Sequence, residues 1–94
     1  MKKFKLYAGL GGSFGGARYV DTDEFESESD ACDAAWEMAR EIYEGYVGLH
    51  GIRSIEDIAK EEGLDLNNST DVEYLEEIFN EERESWIDYY VKEE

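Results

Sequence analysis

Hydrophobic and polar positions alternate at the start of the chain. Hydrophobic residues at positions 4, 6 and 8 are separated by two lysines and a tyrosine, the period-two pattern of a half-buried strand. Segment 9–16 contains five of the nine glycines and predicts a turn. Segment 17–22 then predicts a returning strand. The pattern therefore predicts a β-hairpin over residues 1–22, with a loop too long for its register to be assigned.

The next segment has the spacing of an amphipathic helix. Ser27 or Ser29 can cap its N-terminus, and the pattern continues from about Asp30 to Tyr46. Residues on one helical face are apolar at spacings of three and four. They are Ala31, Ala35, Met38, Ala39, Ile42 and Tyr46.

Two further helices follow. A short helix over residues 54–62 begins with a capping-box pattern at Ser54 and is followed by Gly63, a typical C-terminal cap. A long helix begins at Thr70 and continues at least to Trp86. Segment 87–91 suits either a continuation of this helix or a third strand beside the hairpin. Glu82 falls within the apolar side of the long helix, where we expect either a partner (Arg18, Arg53 or Tyr19) or a solvated edge.

These elements predict an α+β fold. A Gly-rich antiparallel hairpin, with or without a third strand, packs against two long amphipathic helices and one short helix. The length of 94 residues fits a single domain spanning residues 1–94. Within it, residues 1–22 form the hairpin and residues 23–94 form an acidic helical part.

Charge divides the chain unevenly. Residues 1–20 contain four basic residues and no acidic residue, a local net charge of +4, whereas residues 21–94 have a net charge of −20. The total of −16 argues against direct binding to nucleic acid or to an anionic membrane. No apolar run approaches the roughly 20 residues of a membrane span, and the single cysteine, Cys32, fits a reducing compartment. We therefore expect a cytoplasmic protein.

The acidic residues of the two long helices form two rows. In each helix, five carboxylates fall within an arc of roughly 80° opposite the apolar side. The ten residues are Asp30, Asp33, Glu37, Glu41, Glu44, Glu73, Glu77, Glu81, Glu84 and Asp88. Side by side, the two rows would present their charges over about 22 Å, a linear density comparable to that of duplex DNA. Surfaces usually mix both signs, so this segregation favours a functional role or an adaptation to high salt.

Motifs for catalysis or phosphate binding are incomplete. The glycine segment has Phe14 where a dinucleotide fingerprint needs its third glycine, and Ala17 follows Gly16 where a P-loop needs lysine. The single histidine, His50, has no neighbouring nucleophile in sequence, and Phe25 interrupts a calcium-loop pattern that begins at Asp21. We therefore expect no enzyme activity, no cofactor and no metal site.

Small size and a DNA-like anionic surface together resemble the acidic anti-defence proteins of phages and mobile elements, the anti-CRISPR and antirestriction DNA mimics. Segments 6–17 and 80–89 also look like proteins of mobile elements in Gram-positive bacteria. The resemblance implies an inhibitor that acts in the cytoplasm of a bacterial host and occupies the DNA channel of a basic DNA-binding protein. A CRISPR effector nuclease of the Cas9 type is favoured as the target over a restriction enzyme. The alternative is a protein-interaction module or homodimer whose acidic face is solvated.

Overall fold

Three antiparallel strands form one sheet in the order β2-β1-β3. A computed structural model describes all 94 residues. Its elements in chain order are β1 (Lys2–Leu10), β2 (Gly16–Phe25), α1 (Glu28–Gly45), α2 (Ile55–Glu62), α3 (Ser69–Trp86) and β3 (Ile87–Glu93). The α+β fold is confirmed, and so is the hairpin. Segment 87–93 is the third strand, so of the two alternatives for this segment the strand is the one that forms.

The chain forms two compact units. One comprises Met1–Gly45 with Trp86–Glu94 and contains the whole sheet and α1. The other comprises Tyr46–Ser85 and contains α2 and nearly all of α3.

The sheet unit is organised around β1, which pairs with both neighbouring strands. Alternate residues of β1 point to the same face and are almost completely buried. They are Phe4, Leu6, Ala8 and Leu10. Because β1 lies in the middle of the sheet and one of its faces is covered, it follows the period-two pattern expected from the sequence most closely.

Helix α1 covers this face with small side chains. Ala31 and Ala35 pack in one cluster with Phe4 and Leu6 and are fully buried. The helix begins at Glu28, earlier than expected, because the Ser27 hydroxyl accepts a hydrogen bond from Asp30 N at 3.2 Å. It ends at Gly45, so Tyr46, expected on its apolar face, lies beyond it and is 36% exposed.

The glycine segment is a tight turn with a close strand contact. Gly12 and Gly15 lie in the left-handed region, with φ of 61° and 93°, and the loop is held by a 2.8 Å hydrogen bond from Gly11 N to Trp86 O. A Cβ on Gly9 would lie 2.5 Å from the backbone oxygen of Gly16. Glycine is required at position 9 because the two strands approach so closely there.

The second unit contains a short helix whose ends are capped as the sequence predicts. Ser54 Oγ accepts a hydrogen bond from Asp57 N, and the Asp57 carboxylate accepts one from Ser54 N, which completes the capping box. Gly63 ends α2 in the left-handed conformation. Ile58 and Leu75 form the fully buried centre of this unit.

Helix α3 begins one residue before the expected Thr70, at Ser69, where the side chain of Asn68 accepts hydrogen bonds from the backbone. No helix of the protein is long and apolar enough to span a membrane.

The contact at Gly9 generates the first prediction. We expect Gly9→Ala to destabilise the protein by about 2 kcal/mol, because the new methyl group meets backbone and not a flexible side chain. The control is Gly45→Ala, where no atom lies within 4 Å of the added Cβ. That substitution should be neutral or stabilise the fold by about 0.5 kcal/mol. Urea denaturation followed by far-UV circular dichroism measures both, and equal stability of the two variants would contradict the assignment of a close contact.

Candidate protein-binding surface

The outer face of α1 carries a continuous row of carboxylates. Its members follow one another at spacings of three and four residues, and every one of them is exposed. They are Asp30, Asp33, Glu37, Glu41 and Glu44. At 1.5 Å of rise per residue the row is roughly 21 Å long.

Cations neutralise little of this row. Glu44 pairs with Arg40, with 3.9 Å between Nε and Oε1, and the Arg40 guanidinium also lies 5.3 Å from the centre of the Trp36 ring. The other four carboxylates make no ion pair. The α1 row therefore keeps most of its negative charge available to a partner.

Helix α3 carries the second row. Glu73, Glu77, Glu81 and Glu84 are all exposed, and Glu84 lies 3.3 Å from the Arg83 guanidinium. The first three make no ion pair. Four of the five carboxylates expected on one face of this helix thus lie on its surface. The fifth, Asp88, lies outside the helix.

The assignment of Asp88 to the helical row is wrong, because α3 ends at Trp86 and Asp88 belongs to β3. Asp88 stays exposed, but its Oδ2 accepts a 2.8 Å hydrogen bond from Ala17 N on β2. Gly9 lies between these two residues in the sheet register. Asp88 thus holds the start of β2 beside the glycine turn. Its spacing from Glu84, which fits a helix, did not indicate this structural role.

Glu82 pairs with a cation, so of the two alternatives expected for it, a partner or a solvated edge, the partner is present. Arg53 donates from Nε to Glu82 Oε1 at 3.1 Å and from Nη2 to Oε2, a bidentate arrangement in which both side chains are only 27% exposed. The same guanidinium donates from Nη1 to Glu61 at 2.6 Å. Arg53, rather than Arg18 or Tyr19, is the partner.

These hydrogen bonds raise the pKa of Arg53 above its ordinary value, with the bond to Glu82 contributing most and that to Glu61 next. Arg53 is therefore charged at neutral pH. It joins the loop before α2 to Glu61 near the end of α2 and to Glu82 in the last two turns of α3, so one cation ties together the helices of the second unit.

The uncovered face of the sheet carries a row of aromatic rings that the sequence analysis missed. Tyr19, Tyr7 and Tyr90 are neighbours across the three strands. The rings of Tyr7 and Tyr90 stack with 4.4 Å between their centres, and Lys92 Nζ lies within 6 Å of both, at 5.6 and 5.8 Å. The period-two positions of β1 and β3 would have indicated this row once segment 87–93 was known to be a strand.

Candidate groups for other chemistry are sparse. No group of three or more His, Cys, Asp or Glu side chains is arranged to hold a metal ion. His50 has a left-handed φ of 53° in the segment after α1, and its ring lies 5.9 Å from that of Tyr46. A surface depression of about 470 Å³ is lined by Lys3, Thr22, Asp23, Glu24 and Glu94, and these side chains include no nucleophile paired with a base.

No protein-family model, curated protein or solved structure matches this chain. Two features distinguish the surface of the protein, the acidic rows of α1 and α3 and the open tyrosine row of the sheet.

The Arg53 cluster generates the second prediction. We expect Arg53→Met to destabilise the protein by about 2 kcal/mol, because the Glu82 carboxylate, only 27% exposed, then has no cation beside it. The double variant Arg53→Met/Glu82→Leu should recover a large part of this loss, since it removes the unpaired carboxylate as well. Chemical denaturation of both variants gives the two free energies, and a double variant less stable than the single one would show that burial of Glu82 is not what the arginine compensates.

Proposed function

We propose that this protein is a non-enzymatic inhibitor of a DNA-targeting enzyme, which binds the enzyme's basic DNA channel by presenting carboxylates where phosphates would lie. The favoured target is a CRISPR effector nuclease of the Cas9 type, and a restriction enzyme is the second choice. One observation carries the proposal: seven carboxylates on the outer faces of α1 and α3 are exposed and have no ion pair.

Charge density supports the comparison with DNA. The α1 row places one carboxylate per roughly 5 Å of helix axis. One strand of DNA places one phosphate per about 3.4 Å. A single helical row thus approaches the charge density of one DNA strand. Lysines and arginines of the enzyme that are spaced to hold a DNA strand can therefore reach the carboxylates of the row.

The free protein carries a cost for this arrangement, which favours a role for the charge. Like charges along one helix repel one another at spacings of three and four residues. Lysine or arginine at a few of these positions would relieve the repulsion, yet the α1 row has only Arg40 beside it. Binding to a cationic channel relieves the same repulsion and gives fast, salt-sensitive association.

A second candidate function is a protein-interaction module in which the acidic faces are only solvated. The exposed rings of Tyr19 and Tyr90, 56% and 41% accessible, favour a contact through the sheet instead of the helices. The two candidates differ in which variants lose binding.

Charge reversal on the helices tests the proposal. In a DNA-cleavage assay with a guide-loaded Cas9-type nuclease, we expect Glu37→Lys/Glu41→Lys to reduce inhibition about tenfold or more at low salt. Glu77→Lys/Glu81→Lys should act in the same direction. The isosteric pair Glu37→Gln/Glu41→Gln separates lost attraction from added repulsion and should show a smaller loss.

The matched control is Glu24→Lys/Glu26→Lys, which makes the same change of charge at exposed positions outside both rows. The control should keep its inhibition, and excess target DNA should displace the unmodified protein from the nuclease. If the control lost as much inhibition as the α1 variant, total charge and not the row would be responsible. If a folded α1 variant inhibited fully, the row would not be the contact, and the second candidate function would be favoured.

A further inference from the structure

We propose that β3 pairs antiparallel with β3 of a second copy of this chain, which joins two three-stranded sheets into one of six strands. Strand β3 forms one edge of the sheet, with β1 as its only neighbour. Gly11 N donates to Trp86 O at 2.8 Å, and Glu94 N donates to Lys3 O at 2.9 Å. Since backbone direction alternates along a strand, the N–H and C=O groups of Tyr89, Val91 and Glu93 point away from β1.

These outward groups make no hydrogen bond within the chain. The strand is also accessible along its length, because Tyr89 and Tyr90 are 37% and 41% exposed and Asp88 and Lys92 are exposed. An accessible strand edge with unpaired backbone groups is a template for another strand.

The opposite edge of the sheet is closed to such pairing. On β2, Thr22 N donates to the side chain of Asp21 and Glu24 N to the side chain of Asp23, both at 2.8 Å. The pairing register of β2 with β1 also shifts between Leu6 and Tyr7, a bulge that distorts this strand. Acidic side chains, a bulge and backbone amides that bind the preceding side chain all protect the edge of a sheet from pairing. Strand β3 has no bulge and no amide bound in this way.

Charge complementarity identifies the occupant as a second copy. In a two-fold symmetric pair centred on Tyr90, that residue lies opposite its own counterpart, and Asp88 lies opposite Lys92 of the second copy. Asp88 keeps its hydrogen bond to Ala17 N through Oδ2, so Lys92 of the second copy approaches Oδ1, and two opposite-charge pairs flank a central tyrosine pair. Tyr89 and Val91 lie opposite each other with their backbone groups facing, so about four hydrogen bonds form at the centre of the interface.

The same register extends the tyrosine row. Tyr19, Tyr7 and Tyr90 of one copy continue into the equivalent residues of the other, because the row reaches the edge of the sheet at Tyr90. A strand pair of seven residues buries less than the about 1,200 Å² typical of stable complexes, and each copy carries a net charge of −16. The dimer is therefore weak, and screening by salt strengthens it.

Disulfide cross-linking tests the register. In a Cys32→Ser background, which removes the native thiol, Tyr90→Cys places a thiol on the two-fold axis at a non-hydrogen-bonded pair, where Cβ atoms lie about 4.5–5.5 Å apart. We expect oxidation to give a covalent dimer. The control Lys92→Cys in the same background should give little, because residue 92 lies opposite residue 88 and not itself. Equal cross-linking of the two variants would overturn the register.

Sedimentation equilibrium tests the dimer without cross-linking, at protein concentrations up to about 0.5 mM and at raised salt. Tyr89→Pro removes an outward N–H and leaves the bonds to β1, so we expect it to weaken dimerisation about tenfold or more. Tyr89→Ala keeps the N–H and is the matched control, and circular dichroism checks that both fold. A monomer at every concentration would overturn the proposal, and so would a dimer that Tyr89→Pro weakens no more than Tyr89→Ala does.

Discussion

An excess of negative charge is the constraint to which both units of this protein respond. The unit of residues 46–85 contains twelve acidic and three basic residues, so it must fold against its own repulsion. In this unit one arginine, Arg53, contacts two carboxylates at once. The Arg53 guanidinium binds Glu82 with two donors and Glu61 with a third, which uses the planar geometry that lysine lacks. Apart from Glu82, which is paired in this way, and the partly buried Asp71, the acids of this unit lie on exposed faces, where water screens them.

The sheet unit has the same excess, with thirteen acidic and six basic residues, and it buries no charged side chain. Its helix uses alanines at 31, 35 and 39, all fully buried, so that the helix backbone lies close to the sheet. Gly9 has the same effect between strands β1 and β2, where its lack of a side chain brings the backbones together. Close backbone packing gives this unit a compact apolar core, and its charged side chains lie outside that core.

Local patterns predicted much of this architecture because local physics determines it. The capping box at Ser54 and the glycine cap at Gly63 depend on contacts within a few residues, and both are present. The period-two pattern of β1 can also be read locally, and it appears in the burial of that strand. Asp88 shows where such reasoning fails. Its spacing from Glu84 suits a helix equally well, and what decides its structure is pairing of segment 87–93 with β1, a contact between distant parts of the chain.

The exposed acids could be predicted for a related reason, since an amphipathic helix exposes whatever is polar. Their lack of ion pairs could not be predicted, because an arginine such as Arg40 can fold back along its own helix to a carboxylate. For Glu82 the sequence left three candidate partners and a solvated edge as alternatives. Only the fold selects Arg53, which sits 29 positions away in sequence and beside Glu82 in space.

Charge links the stability of the free protein to the proposed complex. Added salt screens the repulsion among the carboxylates and stabilises the folded chain, but it also screens their attraction to a basic channel. A cationic partner stabilises the fold by the same relief of repulsion, and it binds the folded state, in which the carboxylates are aligned, better than the unfolded chain. The proposed contacts through the edge of β3 respond to salt in the opposite way. They depend on backbone hydrogen bonds and bring two negative molecules together, so added salt reduces the repulsion that opposes them. The two surfaces therefore have opposite dependences on ionic strength: low salt favours the acidic rows as the binding surface, and high salt favours the sheet edge.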